Sequence, residues 1–156
     1  MRFAESNQIG NLGIAKVTEW LNRDKRTLDL VSVEGDKEYQ LQGIDLVWIT
    51  TQGRFTIEVK TDTQYRTNNY FFETVSNKTK GTEGCFISSK ADIMAYYFLD
   101  KEIHFFNLSE AQDWFRVHGH KYPLKTSNSE LYESEGRAVL RKDLSAAIQV
   151  KVIKVL

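Results

Sequence analysis

Hydrophobic positions along the chain change their period several times, and each change marks an element. Ile9, Leu12, Ile14, Val17, Trp20 and Leu21 recur near helical spacing. At about 100° per residue most of them fall on one broad face, so with Ser6 as cap they predict a helix through about Asn22. Leu28, Leu30, Val31 and Val33 predict a first strand, ended by Glu34-Gly35-Asp36. Leu46, Val47, Trp48 and Ile49 form an apolar run; beyond Thr51-Gln52-Gly53, Phe55, Ile57 and Val59 alternate with Arg54, Thr56, Glu58 and Lys60. A period of two beyond a short glycine-bearing connection predicts a β-hairpin.

The second half is read in the same way. Thr61 to Asn69 is a polar loop; Tyr70, Phe71, Phe72, Thr74 and Val75, with Glu73 between them, predict a strand; Asn77 to Glu83 forms another loop carrying Lys78 and Lys80. Phe86-Ile87 reads as a short strand, and Ser89-Lys90-Ala91-Asp92 resembles a capping box that opens a helix through Phe98. Glu102 to Phe106 predicts a strand, Ser109 to Gln112 opens a short helix with Trp114 and Phe115 inward, and residues 123–136 predict a loop. Alternation of Ile148, Val150 and Val152 with Gln149 and Lys151 predicts a last strand. The fold class expected is α/β, a mixed central β-sheet flanked by helices, in a single domain over residues 1–156.

Composition narrows the classes. With 156 residues, 41% hydrophobic and 27% charged, there is chain enough for a core and no sign of disorder. No long apolar run and no basic-plus-apolar leader occur, so membrane insertion and secretion are not expected. The single cysteine, Cys85, cannot close an internal disulfide and fits a small buried residue in a reducing cytoplasm, the expected location. Lys and Arg total 21 and so do Asp and Glu, a balance unlike that of unspecific nucleic-acid binders. The balance permits local asymmetry. From Arg137 onward Arg137, Arg141, Lys142, Lys151 and Lys154 face only Asp143, and Arg116, His118, His120, Lys121 and Lys125 cluster near Tyr122; each group is either a phosphate contact or solvated surface.

The hairpin carries the chemistry. Alternation puts Glu58 and Lys60 on one face, and folding about Thr51-Gln52-Gly53 sets Asp45 roughly opposite Glu58 to Lys60. Two carboxylates so close repel each other and shift in pKa unless a cation lies between them, and Mg²⁺, which takes oxygen ligands, suits such a pair. A lysine beside them orients or deprotonates the attacking water, or stabilises charge on a phosphate.

Asp45 followed across one turn by Glu58-Val59-Lys60 resembles the signature of the PD-(D/E)XK nucleases. A preceding helix, two strands and a helix-rich second half follow that family's order over roughly the first hundred residues. The resemblance implies a restriction-endonuclease-like fold and a Mg²⁺- or Mn²⁺-dependent endodeoxyribonuclease. Its metal ligands would be Asp45, Glu58 and the main-chain carbonyl of Val59, with Lys60 assisting catalysis. Ile44 stands where the family usually has proline. The glutamate that many members carry on the first helix has Glu5, Gln8 and Glu19 as candidates here; Gln8, an amide of the same shape, is placed in the expected catalytic set.

The loops after Lys60 are candidate DNA contacts. Arginine and asparagine make paired hydrogen bonds to guanine and adenine, so Arg66, Asn68 and Asn69 are expected to read bases unless they form a plain surface loop, and Lys78 and Lys80 are expected to join them. The small single domain, neutral charge and polar loops look similar to bacterial intron-encoded homing endonucleases of the restriction fold. That likeness implies site-specific cleavage of double-stranded DNA by a homodimer or homotetramer. A junction resolvase, a restriction enzyme and a catalytically inactive DNA-binding protein of the same fold are the alternatives.

Overall fold

The structure is a computed structural model that describes residues 3–128 and 133–155, with side chains from Gln8 onward. Helix α1 (Phe3–Asn22) starts ahead of the expected Ser6 cap and leads into strand β1 (Thr27–Ser32). Next comes α2 (Lys37–Leu41), capped by the Asp36 side chain, which accepts from the N–H groups of Glu38 and Tyr39. Five residues are too few for periodicity to announce this helix. Strands β2 (Leu46–Thr50) and β3 (Gly53–Asp62) form the predicted hairpin, with Leu46 opposite Ile57 and Thr50 opposite Gly53. Gly53 has φ +138°, a conformation that favours glycine at the turn.

Strand β4 (Asn69–Asn77), the short β5 (Thr82–Glu83) and α3 (Cys85–Ser88) precede β6 (Ile93–Phe98) and β7 (Glu102–Asn107). The chain closes with α4 (Leu108–His118), β8 (Leu124–Asn128), β9 (Glu133–Leu140), α5 (Arg141–Ala147) and β10 (Val150–Lys154). Six strands form the main sheet in the order β1-β2-β3-β6-β7-β10, antiparallel except where β3 runs parallel to β6. Four strands form a second sheet in the order β5-β4-β9-β8. The mixed α/β class with a mixed central sheet flanked by helices is as expected.

Four expectations are corrected. Phe86-Ile87 lies in helix α3, not in a strand. Residues 93–98 form a strand, not a helix, because a central strand covered on both faces reads as a continuous apolar run with no period of two. Met94, Tyr96 and Phe98 pack into one core cluster while Ala95 and Tyr97 pack into the other. The Ser89-to-Asp92 stretch opens no helix: Ser89 ends α3 and its hydroxyl donates to the Gly43 carbonyl at 2.8 Å, and the Asp92 carboxylate accepts from Thr56 N at 2.9 Å and Thr56 Oγ1 at 3.1 Å. Residues 123–136 hold most of the β8–β9 hairpin rather than a loop, and α5 was not foreseen.

Two cores result. On one face of the main sheet, Val17 and Leu21 of α1 meet Leu46, Trp48, Ile57, Ala95, Tyr97 and Ile103. On the other, the inner face of the second sheet contributes Tyr70, Phe72 and Val139, and α3, α4 and α5 add Phe86, Leu108, Phe115 and Leu144. Phe72, 1% exposed, stacks on Phe86 with ring centroids 3.9 Å apart and on Tyr70 at 5.4 Å. Phe72→Ala is expected to destabilise the fold by about 3–5 kcal/mol, read from the chemical denaturation midpoint. A loss below about 1 kcal/mol would show that this stack does not tie the two sheets together.

Candidate active site

Strand β3 outruns its partner. Leu46 is the last residue of β2 paired with it, opposite Ile57, whereas β3 continues to Asp62 alongside β6. Asp45, one residue before β2, leaves that register: its carbonyl accepts from the Val33 N–H at 3.0 Å while its N–H turns to β3, so its carboxylate lies beside Glu58 rather than in register opposite it. The Asp45 N–H donates to the Ile57 carbonyl at 2.9 Å, and Asp45 Oδ2 accepts from the Val59 N–H at 2.8 Å. The N–H and C=O of a strand residue point to the same edge, so the Val59 carbonyl faces the edge where Asp45 sits.

Alternation then separates the two faces. Ile57, Val59 and Thr61 face α1, where Gly13 lets the helix close in: a Cβ there would stand 1.8 Å from Thr61 Oγ1. Glu58, Lys60 and Asp62 share the opposite face. The structure thus brings Asp45, Glu58, the Val59 carbonyl edge and Lys60 to one end of the hairpin.

Glu58 is the electrostatic centre. It is 6% exposed, and its Oε2 is buried with no hydrogen-bond partner. Burial pushes its carboxyl up to about 8 and the charge of Asp45 adds to the rise, while Ser89, Cys85 and Lys60 oppose it. Ser89 is the strongest of these opposing groups, and its hydroxyl also donates to the Gly43 carbonyl at 2.8 Å. Burial also raises Asp45, against the Val59 N–H, and Glu34 adds to the rise. The partly buried Cys85 thiol is pushed well up by burial and by Glu58, which leaves it a poor nucleophile.

An orphaned carboxylate oxygen beside a second raised carboxyl fits a divalent cation, whose charge would remove the cost of ionising both. The donors are hard oxygens, the set that Mg²⁺ or Mn²⁺ takes. Among the described residues no three His, Cys, Asp or Glu side chains gather as a metal-ligand group, so this set is two carboxylates and a carbonyl. Of the first-helix candidates, Glu5 has its side chain outside the described residues. Gln8 is exposed, next to Ile9 and Gly10, which border the cleft described below. Glu19 is a surface group held by Lys16 at 3.1 Å and Arg23 at 2.8 Å.

A cleft of 640 Å³ opens beside Lys60, between the end of β3, the start of α1 and the outer face of the second sheet. Gln64, Thr67 and Asn69 of the loop after β3 line it. Arg66 is exposed on a single 3-10 turn (Tyr65–Thr67), and Asn68 is exposed with φ 61°. Arg141 holds this loop rather than standing free for phosphate. Its N–H donates to the Asn68 carbonyl at 3.0 Å, its Nε to the Asn69 carbonyl at 3.1 Å and its Nη2 to the Tyr65 carbonyl. The guanidinium also lies 3.8 Å from the Phe98 ring centroid. Tyr65 is tied below by its hydroxyl to Glu102, and Glu102 to the buried His104.

Lys78 pairs with Glu133 and Glu135 at 3.7 and 3.4 Å, and Lys80 is exposed in the turn after β4; neither borders the cleft. Lys125 does border it. Sequence reasoning did not find that Arg141 holds this loop or that Ser89 bonds Gly43, because these contacts join residues 46 to 76 positions apart, which no local period reports. No helix among the described residues is long and apolar enough to cross a membrane. Compared with protein-family models, curated proteins and solved structures, the chain matches none of them.

The raised Glu58 carboxyl has a sign that can be measured without any substrate. Between its ordinary 4.5 and about 8 the folded protein holds a proton that the unfolded chain has released. Stability in chelator is therefore full below 4.5 and declines as pH rises through about 8, by about 1.4 kcal/mol for each unit separating the two pKa values. Glu58→Gln is expected to flatten this decline in denaturant titrations at pH 5 and pH 8. An unchanged slope in the variant would place the titration elsewhere.

Proposed function

We propose that the protein is a metal-dependent DNA endonuclease of the restriction-endonuclease-like type that hydrolyses phosphodiester bonds at Asp45, Glu58 and Lys60. The observation that carries this reading is the buried, unpartnered Oε2 of Glu58, on the face it shares with Lys60 and beside the Asp45 carboxylate that is bound to the Val59 N–H. Structural ion pairs do not leave an acceptor orphaned next to a second raised carboxyl. A cation site does.

Asp45, Glu58 and the Val59 carbonyl would hold Mg²⁺ or Mn²⁺, which when bound supplies Lewis-acid polarisation of the phosphate and a lowered pKa for water. The chain supplies the rest. Asp45 is oriented by the Val59 N–H and so keeps one carboxylate oxygen committed to the backbone and the other free. Lys60 places an ammonium at the mouth of the cleft, where it stabilises the negative charge that builds on the phosphate oxygens. The loop held by Arg141 presents Gln64, Thr67 and Asn69 toward the cleft and Arg66 and Asn68 toward solvent, groups suited to base edges and sugar oxygens.

One such site cuts one strand. Cleavage of both strands at a defined target then requires at least two copies, and a two-fold pair is the economical arrangement. A homing-endonuclease-like homodimer or homotetramer would meet that requirement, whereas a monomer would nick one strand.

Supercoiled plasmid carrying a library of targets is expected to be nicked and then linearised with Mg²⁺, and to stay intact in chelator. Asp45→Asn and Lys60→Ala should each slow cutting by roughly 100-fold or more while retaining DNA binding. DNA binding with no metal-dependent cutting by the native protein would instead mark a non-catalytic binder. Independently of activity, millimolar Mg²⁺ should raise the thermal midpoint of the native protein at pH 8 and leave that of Glu58→Gln unmoved. Equal shifts in both would remove Glu58 from the ligand set.

A further inference from the structure

The outer face of the second sheet forms one wall of the cleft, and a single ring stands on it in an unusual setting. Alternation along β4 sends Tyr70 and Phe72 into the core and Phe71 outward. The cross-strand register puts Ala138 opposite Phe71, Gly136 opposite Glu73, Lys125 opposite Gly136 and Ser127 opposite Ser134. All of these share the Phe71 face, so the ring lies beside small residues, Gly136, Ala138, Ser127 and Ser134, with Glu73 and Lys125 at their flanks.

The surroundings of that ring fix where it stands. A Cβ on Gly136 would stand 2.7 Å from Phe71 Cζ and 2.5 Å from the Phe72 carbonyl, so glycine is what lets the ring rest against β9. The Phe71 N–H donates to the Tyr96 hydroxyl at 2.8 Å, and that hydroxyl donates to the Asp62 carboxylate, which ties Phe71 to the strand that carries Lys60. The Lys60 ammonium lies 5.9 Å from the ring centroid. That is the outer limit of a cation–π contact, about 6 Å, so the ammonium neighbours the ring without being bound by it.

The cleft itself selects the ligand. Its 640 Å³ matches pockets that enclose one small organic molecule, about 300–1,000 Å³, which admits an unstacked nucleotide or two and not a duplex. Lys60 and Lys125 are balanced by Asp62 and Glu73, so phosphate neutralisation supplies little of the affinity there. Hydrogen bonds and stacking must supply it.

We propose that Phe71 is a stacking platform for an unpaired nucleobase beside the phosphate addressed by Lys60, so that DNA enters this cleft as a single-stranded or locally unstacked segment. The proposal rests on the nuclease reading and names the form of substrate that its site accepts. Lys60 turns from over the ring to the phosphate, and the base takes the face that the ammonium leaves.

The test measures binding of a labelled single-stranded oligonucleotide, the same oligonucleotide with abasic sites, and a duplex, by anisotropy in chelator so that no cutting intervenes. The native protein is expected to bind the intact single strand about 5- to 100-fold more tightly than the abasic one. Phe71→Leu should lose the same factor on the intact strand and little more on the abasic one, while Phe71→Tyr, which keeps a π face, should retain native affinity. Equal binding of intact and abasic strands by the native protein overturns the proposal without recourse to any variant. So does a preference for duplex, or native affinity in Phe71→Leu. If plasmid is still cut with Mg²⁺ under any of those outcomes, the nuclease reading stands and the platform alone falls. If the protein binds no DNA of any form, both fall together.

Discussion

The hydrogen bond from the Val59 N–H to the Asp45 carboxylate, 2.8 Å long, is where the β2–β3 ladder stops and a site begins. Up to Leu46 the strand β2 satisfies the edge of β3. Beyond it the edge has no strand, and a buried edge cannot be left without partners. A side chain supplies the partner that the backbone no longer does. This substitution fixes the direction of Asp45, holds it beside Glu58 and leaves the Val59 carbonyl facing the same gap. Had β2 extended two residues further back, ordinary ladder bonds would have closed the edge and no group of oxygens would have formed.

The gap is costly because Glu58 is enclosed. On its other side β6 runs parallel to β3, and α3 and the Ser89 segment lie against the same face. Burial of an ionisable group with no partner on Oε2 is opposed by several kcal/mol when the group is charged. Cores do not keep such groups without a compensating contact, and Lys60, two residues along and partly solvated, offsets only part of the cost. Ionising Glu58 below about pH 8 therefore sets a local demand for positive charge at one end of a neutral molecule. A balanced total of 21 basic and 21 acidic residues is compatible with that demand, since the requirement is set over a few ångströms and not over the whole surface.

What could be read from the chain beforehand followed from local period. Phe55, Ile57 and Val59 alternate cleanly because one face of β3 meets α1 and the other carries Glu58 and Lys60, so the hairpin and its shared face were legible. Strand β6 was not, because Met94, Tyr96 and Phe98 enter one core and Ala95 and Tyr97 the other, which erases the alternation that identifies a strand. The β8–β9 hairpin failed for the opposite reason. Lys125, Ser127, Ser134 and Gly136 line an open face that needs no apolar residues, and a strand built from them looks like a loop. Phe71 was legible as part of a strand but not as an outward ring, since Phe72 beside it is equally aromatic and only the register tells the two apart.

These two failures have a common consequence for the site. The half that holds the carboxylates lies on a hairpin with strong local signals, whereas the half that would receive the substrate lies on the second sheet, whose outer face is polar and whose position depends on long-range packing through Phe72, Phe86 and Phe115. Arg141 couples the halves. It starts α5 directly after β9, yet donates to three carbonyls of the loop that follows β3 and packs its guanidinium on Phe98 of the main sheet. A guanidinium suits that task better than an ammonium, because its planar fork serves several carbonyls at once while its face lies on a ring. The spacing between Lys60 and the Phe71 floor is therefore set by the joint between two sheets, and any change in how those sheets pack moves the proposed phosphate and base subsites relative to each other before it disturbs the carboxylates themselves.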